Sequence, residues 1–311
     1  MKVSLIATVK DAAPDIGEFL TSLRAQTRRP DEVVIVDGGS TDGTPEAIRA
    51  AGDITLLEEP GANIARGRNV AVRAATHEVI ACTDADCVLA PDWLERILEP
   101  LEGGADVSMG LYRPLARTFF EACAAAISIK EPDEVREATY MPSARSVAFR
   151  REAFEAAGGF PEWLAIGEDM YLDNRWRALG VRMRLAPGAV VYRRPRPTLG
   201  AYWRQFSAYA AGDAEAGMHP WRHLLRFGVY GALAVAVASR RHAPLVAAGA
   251  AGTGYAWRPV RRAMRILPPR ACSRVAALVA VPALMAVTDL AKMVGYARGF
   301  ARRPGRESPS A

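Results

Sequence analysis

With 311 residues, half of them hydrophobic, the chain is long enough for one large domain with a substantial core and a smaller appendage. Its formal charge of +6 hides a split: Met1 to Trp221 carries 25 Lys/Arg against 32 Asp/Glu, a balance of −7, whereas Arg222 to Ala311 carries 15 against 2, a balance of +13. The basic part is interleaved with apolar sequence, which points to anionic membrane lipid and argues against nucleic acid as the partner. Cys82, Cys87, Cys123 and Cys272 include no Cys-x-x-Cys pair and no histidines at zinc spacing, so neither a disulfide framework nor a structural metal is expected, and reduced thiols in a cytoplasmic compartment fit best.

The opening run Met1-Lys2-Val3-Ser4-Leu5-Ile6 meets Lys10 and Asp11 too soon to form the core of a signal peptide. From there the first hundred residues alternate β-branched runs, Val3 to Val9, Val33 to Val36, Ile54 to Leu57 and Val79 to Thr83, with helical patterns. Parallel strands with crossover helices are implied. Asp15 to Gln26 places Ile16, Phe19, Leu20 and Leu23 on one helical face, Pro45 suits a first helical turn, and Pro91 opens a segment with Trp93, Leu94, Ile97 and Leu98 as its buried stripe. From Asp106 to Arg204 the order is less regular: a helix over Pro114 to Lys130, a strand at Ser146 to Phe149 and a helix from Glu168 to Leu179 closed by Gly180 are expected. This part reads as an acceptor-binding half.

Beyond His223, Leu224 to Ser239, Ala243 to Trp257 and Val275 to Tyr296 are rich in Ala, Val, Leu and Gly and punctuated by Arg240-Arg241 and by arginines from Arg258 to Arg270. Three hydrophobic helices follow. The first two are about 15 residues long, short of the roughly 20 that cross a bilayer upright, so re-entrant or interfacial placement competes with spanning. A buried helical subdomain is the alternative, but arginines clustered at segment ends favour the membrane. The only low-complexity stretch is the Arg/Pro/Ser tail after Phe300.

Three acidic constellations carry chemistry. The apolar run Val79 to Thr83 leads straight into Asp84-Ala85-Asp86, which puts two carboxylates at the carboxyl end of a strand, where open α/β sheets bind ligands. Crowded hard oxygens suit Mg2+ or Mn2+, although a solvated turn would carry the same pattern. A second strand ends in Asp37-Gly38-Gly39-Ser40-Thr41-Asp42-Gly43-Thr44, where an acceptor can bond a nucleobase edge, or where Asp42 or Thr44 simply caps a tight turn. No Gly-x-Gly-x-x-Gly follows either strand, which argues against a dinucleotide enzyme. Third, Glu168 and Asp169 open a helix whose positive end stabilises such charges; if a hydroxyl attacks here a carboxylate must take its proton, and Asp169 is the candidate general base, with Glu168 orienting the acceptor or its neighbour.

Taken in order, the opening strand, the Asp37 turn, Gly61-Ala-Asn-Ile-Ala-Arg-Gly-Arg-Asn69, Thr83-Asp-Ala-Asp-Cys87, Phe149-Arg-Arg-Glu-Ala-Phe154 with Gly158-Gly-Phe160, and Gly167-Glu-Asp169 resemble the motifs of family-two glycosyltransferases of the GT-A fold. The resemblance covers about Lys2 to Gly212. It implies an α/β, Rossmann-like mixed sheet and a catalytic domain over residues 1–221, while the basic apolar sequence itself is read as a helical region over 222–311 that tethers the domain to the cytoplasmic face of the membrane. The resemblance also implies inverting, metal-dependent transfer from a nucleotide-diphosphate sugar to an acceptor hydroxyl, and the basic apolar tail points to a lipid-linked or other membrane-surface glycan as that acceptor. Carried onto this chain, Thr8 and Asp37 become nucleoside contacts, Arg68 a contact or brace near the diphosphate, Asp84 a ribose or metal-shell ligand, Asp86 the direct metal ligand and Asp169 the base.

Lys10 stands where relatives often carry an aromatic residue, and Tyr192-Arg193-Arg194 where many carry a metal-binding histidine. Arg193 or Arg194 could hold the diphosphate, or form a solvated basic strand end. Arg145 is a candidate contact to an anionic acceptor, Trp163 could stack on sugar, and helical packing is the expectation for Trp176. His219 and His223 read as interface residues. Tyr202 to Tyr209 lacks the Gln-x-x-Arg-Trp pattern of processive synthases, which favours few additions. A nucleotidyltransferase and a non-catalytic membrane adaptor remain the rival readings.

Overall fold

The computed structural model describes residues 1–240 and 242–302; the Arg/Pro/Ser tail beyond Arg302, and Arg241 of the Arg240-Arg241 pair, lie outside the described residues. In chain order the elements are β1 (Val3–Val9), α1 (Ala13–Arg24), β2 (Glu32–Asp37), α2 (Thr44–Arg49), β3 (Thr55–Glu58), α3 (Ile64–Ala74), β4 (Val79–Asp84), β5 (Cys87–Leu89), α4 (Trp93–Glu102), β6 (Val107–Pro114), α5 (Phe119–Ser128), β7 (Val147–Arg150), α6 (Arg151–Ala156), α7 (Glu168–Ala178), β8 (Met183–Arg193), α8 (Leu199–Glu215), α9 (Pro220–Ala238), α10 (His242–Ile266) and α11 (Ala271–Arg302). They form two compact units, one of Met1–Leu115 with Glu131–Arg194, the other of Ala116–Lys130 with the chain from Pro195 onward. The compact boundary therefore precedes the charge boundary at Trp221, because Tyr202, Phe206 and Ala210 of α8 are buried with the later helices.

In the first unit one sheet of eight strands runs in the order β3-β2-β1-β4-β7-β6-β8-β5. The strands β3, β2, β1 and β4 are mutually parallel, as the alternating βα pattern requires, and β7 then pairs antiparallel with β4 and with β6. Strand β1 is covered on both faces, which is why it reads as a continuous apolar run. Val3, Leu5, Ala7 and Val9 pack with Phe19 and Leu20 of α1 and with Trp93, Leu94 and Ile97 of α4. Ile6 faces the opposite core, shared with Val34, Val36, Ile80, Ala71 and Val72 of α3 and Trp176 of α7.

Strands β5, β6 and β8 are not visible as a period in the sequence. β8 contains Pro187-Gly188, and β6 pairs with it in parallel across a register shift between Met109 and Leu111. The helix expected from Pro114 starts later, at Phe119, because Pro114 still belongs to β6 and Thr118 forms a reciprocal cap with Glu121. By contrast α7 ends as expected, with Gly180 at φ +70 just past it.

The second unit consists of helices α5 and α8 to α11. Gly295 and Gly299 of α11 lie on α8 so closely that a Cβ would come within 1.9 Å of the Ser207 carbonyl oxygen and 2.2 Å of that of Ala211. The three expected apolar helices are present but longer than their apolar runs, at 19, 25 and 32 residues, because Pro220 starts α9 at its first turn and the arginine-rich flanks join α10 and α11. Among the described residues only α11 is long and apolar enough to cross a membrane by length and composition.

Gly110, at the register shift, is a packing requirement. A Cβ there would lie 1.9 Å from Ser146 Oγ, which accepts the Trp93 indole N–H at 2.9 Å and donates to the Ala189 carbonyl at 3.3 Å. Gly110→Ala is expected to destabilise the first unit by about 1–3 kcal/mol through overpacking, read as a lowered thermal midpoint.

Candidate active site

Strands β1, β2 and β4 deliver their carboxyl ends side by side: Thr8 lies opposite Val36 on one flank and Asp84 on the other, and Asp37 lies opposite Val9. Asp37 is buried and builds its own turn, accepting the backbone N–H of Gly39 at 3.0 Å and of Ser40 at 2.8 Å on one oxygen and the Ser40 hydroxyl on the other. Gly39 follows at φ +90 with Pro60 Cα 3.2 Å from where a Cβ would be, so only glycine fits there. This loop is laced to the end of β1: Ser40 Oγ accepts Asp11 N–H at 2.8 Å, Asp11 Oδ1 accepts Thr41 N–H at 2.9 Å, and Asp42 Oδ2 accepts Ala13 N–H at 2.9 Å. Asp42 also accepts the Thr44 backbone N–H at 3.2 Å and its hydroxyl at 2.6 Å, which closes the turn, while the N-cap of α2 itself is Gly43 and carries no side-chain cap.

The centre of the site is Arg68. Helix α3 closes on β1 through Gly67, where a Cβ would stand 3.0 Å from the Thr8 methyl, and this carries Arg68 beneath the strand ends. Its Nη2 bonds Asp84 Oδ1 at 2.6 Å and its Nη1 bonds Glu168 Oε1 at 2.5 Å, with Arg68 only 1% exposed. The Phe160 ring lies 5.4 Å from its guanidinium carbon, on a loop pinned by Asn69, which donates to the Phe160 carbonyl at 2.9 Å and accepts its N–H at 3.0 Å. The structure therefore makes Arg68 a brace that joins the end of β4 to the start of α7.

Burial alone would raise the Asp84 carboxyl, but Arg68 and then Arg145 outweigh it and hold Asp84 below the usual carboxylate range. Glu168 goes the other way: burial pushes it up, Arg68 offsets only part, and the neighbouring Asp169 adds repulsion. Arg145 was expected on an acceptor loop; its Nε lies 3.2 Å from Asp84 Oδ2 and 3.9 Å from Asp86 Oδ1, across the acidic turn. Both Asp84 oxygens are thus taken by guanidinium groups, and Asp86, with its side chain 42% exposed, is the carboxylate left facing outward.

Asp169 is half-buried in the first turn of α7, one residue from the Arg68 partner Glu168, and its Oδ1 accepts the Met170 N–H at 2.8 Å. Gly167 precedes the helix at φ +92. One turn further, Asp173 is 2% exposed with an Oδ2 that meets no hydrogen-bond donor, and burial, reinforced by Asp169, pushes its carboxyl well above the usual range. The sequence reading passed over Asp173, although its i+4 spacing from Asp169 was a signal. Trp163 is 56% exposed and meets Tyr171 edge-on with centroids 5.5 Å apart, whereas Trp176 is buried and donates to the Ala153 carbonyl at 2.9 Å. Arg194 is committed to Asp15 and Glu18 of α1. In the second unit His223 is buried, bonded to Asp213 at 3.0 Å and stacked on Tyr296, a structural role.

Among the described residues no three His, Cys, Asp or Glu side chains converge as a ready-made metal cage. One outward carboxylate, Asp86, fits a Mg2+ or Mn2+ ion whose other ligands are diphosphate oxygens and water, the usual habit of these hard cations.

Replacing Arg68 by Met would leave buried Glu168 without its cation and Asp84 with Arg145 alone. Arg68→Met is expected to cost about 3–5 kcal/mol. The deficit should be largest at neutral pH and shrink in acid: Glu168, already raised by burial, loses the guanidinium that offsets part of that rise, so the variant regains stability as falling pH protonates it. Melting curves of both proteins at neutral and mildly acidic pH check this.

The family model described as glycosyl transferase family 2 matches residues 4–122, and that of glycosyl transferase family group 2 matches residues 79–288. The chain is 29% identical over 238 residues to the pre-mycofactocin glycosyltransferase of Mycobacterium tuberculosis, covering 70% of this chain and 48% of that protein, so it spans about half the length of that relative. It is 27% identical over 282 residues to the N-acetylglucosaminyl-diphospho-decaprenol L-rhamnosyltransferase of the same organism, covering 74% and 90% respectively. Among solved structures it is similar to the mannosyltransferase PcManGT of Pyrobaculum calidifontis in complex with GDP-Man and Mn2+, at 26% identity and a TM-score of 0.56 over 97% of this chain and 86% of that one. With the mixed sheet and the acidic strand end in the places described, the chain belongs to the family-two glycosyltransferases and has the GT-A fold.

Proposed function

We propose that the chain transfers a sugar from a nucleotide-diphosphate donor to an acceptor hydroxyl with inversion, and that Asp169 is the base. The observation that carries this is the Arg68 bridge, which ties Asp84 to Glu168 and so brings the acidic turn of β4 and the acidic start of α7 to one point. In this reading Thr8 and the Asp37 loop receive the nucleoside, Asp86 holds Mn2+ or Mg2+, and Trp163 and Tyr171 offer ring faces to sugar. A divalent cation bound at Asp86 would supply positive charge to the diphosphate oxygens as the leaving group separates. PcManGT, solved with GDP-Man and Mn2+, supports the donor and metal class.

In the transfer itself the acceptor oxygen forms a bond to the anomeric carbon while the bond from that carbon to the diphosphate oxygen breaks. Asp169 takes the proton of the hydroxyl, and the diphosphate leaves with the electron pair. Glu168 cannot share that task while it is held by Arg68; it fixes where α7 begins. Asp169→Asn is expected to lower turnover by about 10²–10⁴-fold while donor binding is retained. Product formation from a panel of UDP- and GDP-sugars with Mn2+, alongside calorimetric donor binding, tests this; an active Asp169→Asn enzyme would remove Asp169 as base.

The acceptor is read from the second unit. Trp221, Leu225, Val246, Trp257 and Val279 are all more than half exposed on α9 to α11, and the chain beyond Trp221 carries the +13 balance. That combination suits an anionic membrane surface, hence a lipid-linked or membrane-surface glycan acceptor at the cytoplasmic face. The rhamnosyltransferase relative, whose name specifies a diphospho-decaprenol acceptor, supports the same class. Transfer to a lipid-carried acceptor should exceed transfer to its soluble headgroup at equal concentration; equal rates would count against the membrane reading.

A further inference from the structure

The buried carboxylates among the described residues are Asp37, Asp84, Glu121, Glu168 and Asp173. Asp37 takes the backbone N–H groups of Gly39 and Ser40, Glu121 those of Arg117 and Thr118, and Asp84 and Glu168 share Arg68. Asp173 is the exception: it is 2% exposed, no ion pair or hydrogen bond reaches it among the described residues, and its Oδ2 is sealed without a donor. Arg68 and Arg145 also carry an orphaned nitrogen, but both are ion-paired and their charge is compensated, as that of an ionised Asp173 would not be. A carboxylate with neither partner nor water is driven to its neutral acid, and that acid has an O–H in need of an acceptor.

The surroundings narrow the acceptor. The charges bearing on Asp173 are those of Asp169 and Arg177, one turn to either side on α7, and Tyr140 faces it from the loop before β7. Arg177 is spent on the carbonyls of Ala138 and Tyr140, and the Tyr140 hydroxyl donates to the Gly110 carbonyl at 3.0 Å. Residues four apart on a helix share a face with Cβ atoms about 5–6 Å apart, which puts the Asp169 carboxylate within reach of Asp173. Asp169 has an oxygen to spare: Oδ1 accepts the Met170 N–H, and no donor among the described residues meets Oδ2. Two ionised carboxylates at this spacing repel, whereas an acid and a carboxylate attract through a charge-assisted bond.

We propose that Asp173 donates its carboxylic acid O–H to Oδ2 of Asp169 and so aims the base at the acceptor hydroxyl. This rests on the reading of Asp169 as base and deepens it. Asp173 is a positioning residue, since burial keeps it from substrate. The pair holds a single proton, and the half-buried member is the one ionised. With the Met170 N–H on one oxygen and Asp173 on the other, rotation of the Asp169 carboxylate is stopped. Rising pH ends the arrangement, because loss of the Asp173 proton turns a donor into a second anion beside the base.

The test follows hydrolysis of UDP- and GDP-sugars by the full chain with Mn2+, water taking the acceptor's place. Asp173→Leu, which fills the space but cannot donate, should lower kcat about 10- to 100-fold with the donor KM nearly unchanged. Asp173→Asn, which keeps an N–H donor and does not ionise, should recover most of that loss and hold its rate at alkaline pH where the wild type declines. Its thermal midpoint should be no lower than that of the wild type, because a carboxyl raised on folding loses stability as pH climbs above its unfolded value and an amide does not titrate; a folding defect is thereby separated from lost positioning. Carboxyl 13C NMR of aspartate-labelled protein should show the Asp173 signal, identified by its loss in Asp173→Asn, in the protonated range at neutral pH. An ionised Asp173, equal kcat in wild type and Asp173→Leu, or Asp173→Asn as slow as Asp173→Leu would overturn the assignment and leave Asp169 as base. An active Asp169→Asn enzyme would sink both.

Discussion

A guanidinium sealed from solvent between two carboxylates is the constraint on which the first unit's site depends. Arg68, Asp84 and Glu168 come from three elements, α3, β4 and α7, that share no local sequence, and each buried charge is tolerable only because the others are present. The fork geometry matters: two separate nitrogens reach two separate carboxylates, which the single ammonium of a lysine would not reproduce. Two negative charges against one positive leave an excess, and Arg145 meets it on the remaining Asp84 oxygen. Gly67 and Asn69, on either side of Arg68, complete the joint by letting α3 touch β1 and by pinning the Phe160 loop.

The same arrangement divides labour within each acidic pair. In the β4 turn Asp84 is buried against arginines and Asp86 faces outward; at the start of α7 Glu168 is buried against Arg68 and Asp169 remains half-buried. One member anchors and its neighbour is presented. A turn reverses the direction of residues two apart after the strand ends, and a helix rotates adjacent residues by about 100°, so anchoring one carboxylate fixes the direction of the other. Positioning of the two groups proposed for chemistry thus follows from the burial of the two carboxylates beside them.

Much of this was legible in the sequence, and the reasons for what was not are physical. Parallel strands covered on both faces read as apolar runs, so β1, β2 and β4 with helices α1, α2 and α4 could be placed from the pattern alone, whereas α3, which carries Arg68, was not among the expected helices. β6 and β8 could not, because Gly110, Pro187 and Gly188 interrupt any period and the pairing between these strands is set by contacts far apart in the chain. Arg68 could be read only as a contact or a brace near the diphosphate, since burial separates the two and burial is a property of the fold. Equally, nothing local distinguishes Arg193 from Arg194: one lies opposite Cys87, the other meets α1, and the alternation of a strand sends neighbouring side chains to opposite faces. Nor does composition reveal that α5, in the middle of the first unit's sequence, belongs to the second unit.

The second unit distributes its apolar residues differently from the first. Around the sheet the large side chains are inside: Phe19, Trp93, Phe149 and Trp176 are each at most 1% exposed. Among α5 and α8 to α11 small residues do much of the inward packing, Ala122, Ala126, Ala263, Ala277, Ala291, Gly295 and Gly299, whereas Trp221, Leu225, Val246, Trp257 and Val279 point out. In water such a surface is a liability, because the hydrophobic effect rewards the reverse arrangement. Next to acyl chains the large groups lose nothing by facing outward, and helices gain most from close backbone approach through small residues, which is what Gly295 and Gly299 provide against α8. The half of the sequence that is hydrophobic therefore serves two different ends, a dry core in the first unit and an outward apolar surface in the second, and the membrane proposal stands on that contrast rather than on the length of any one helix.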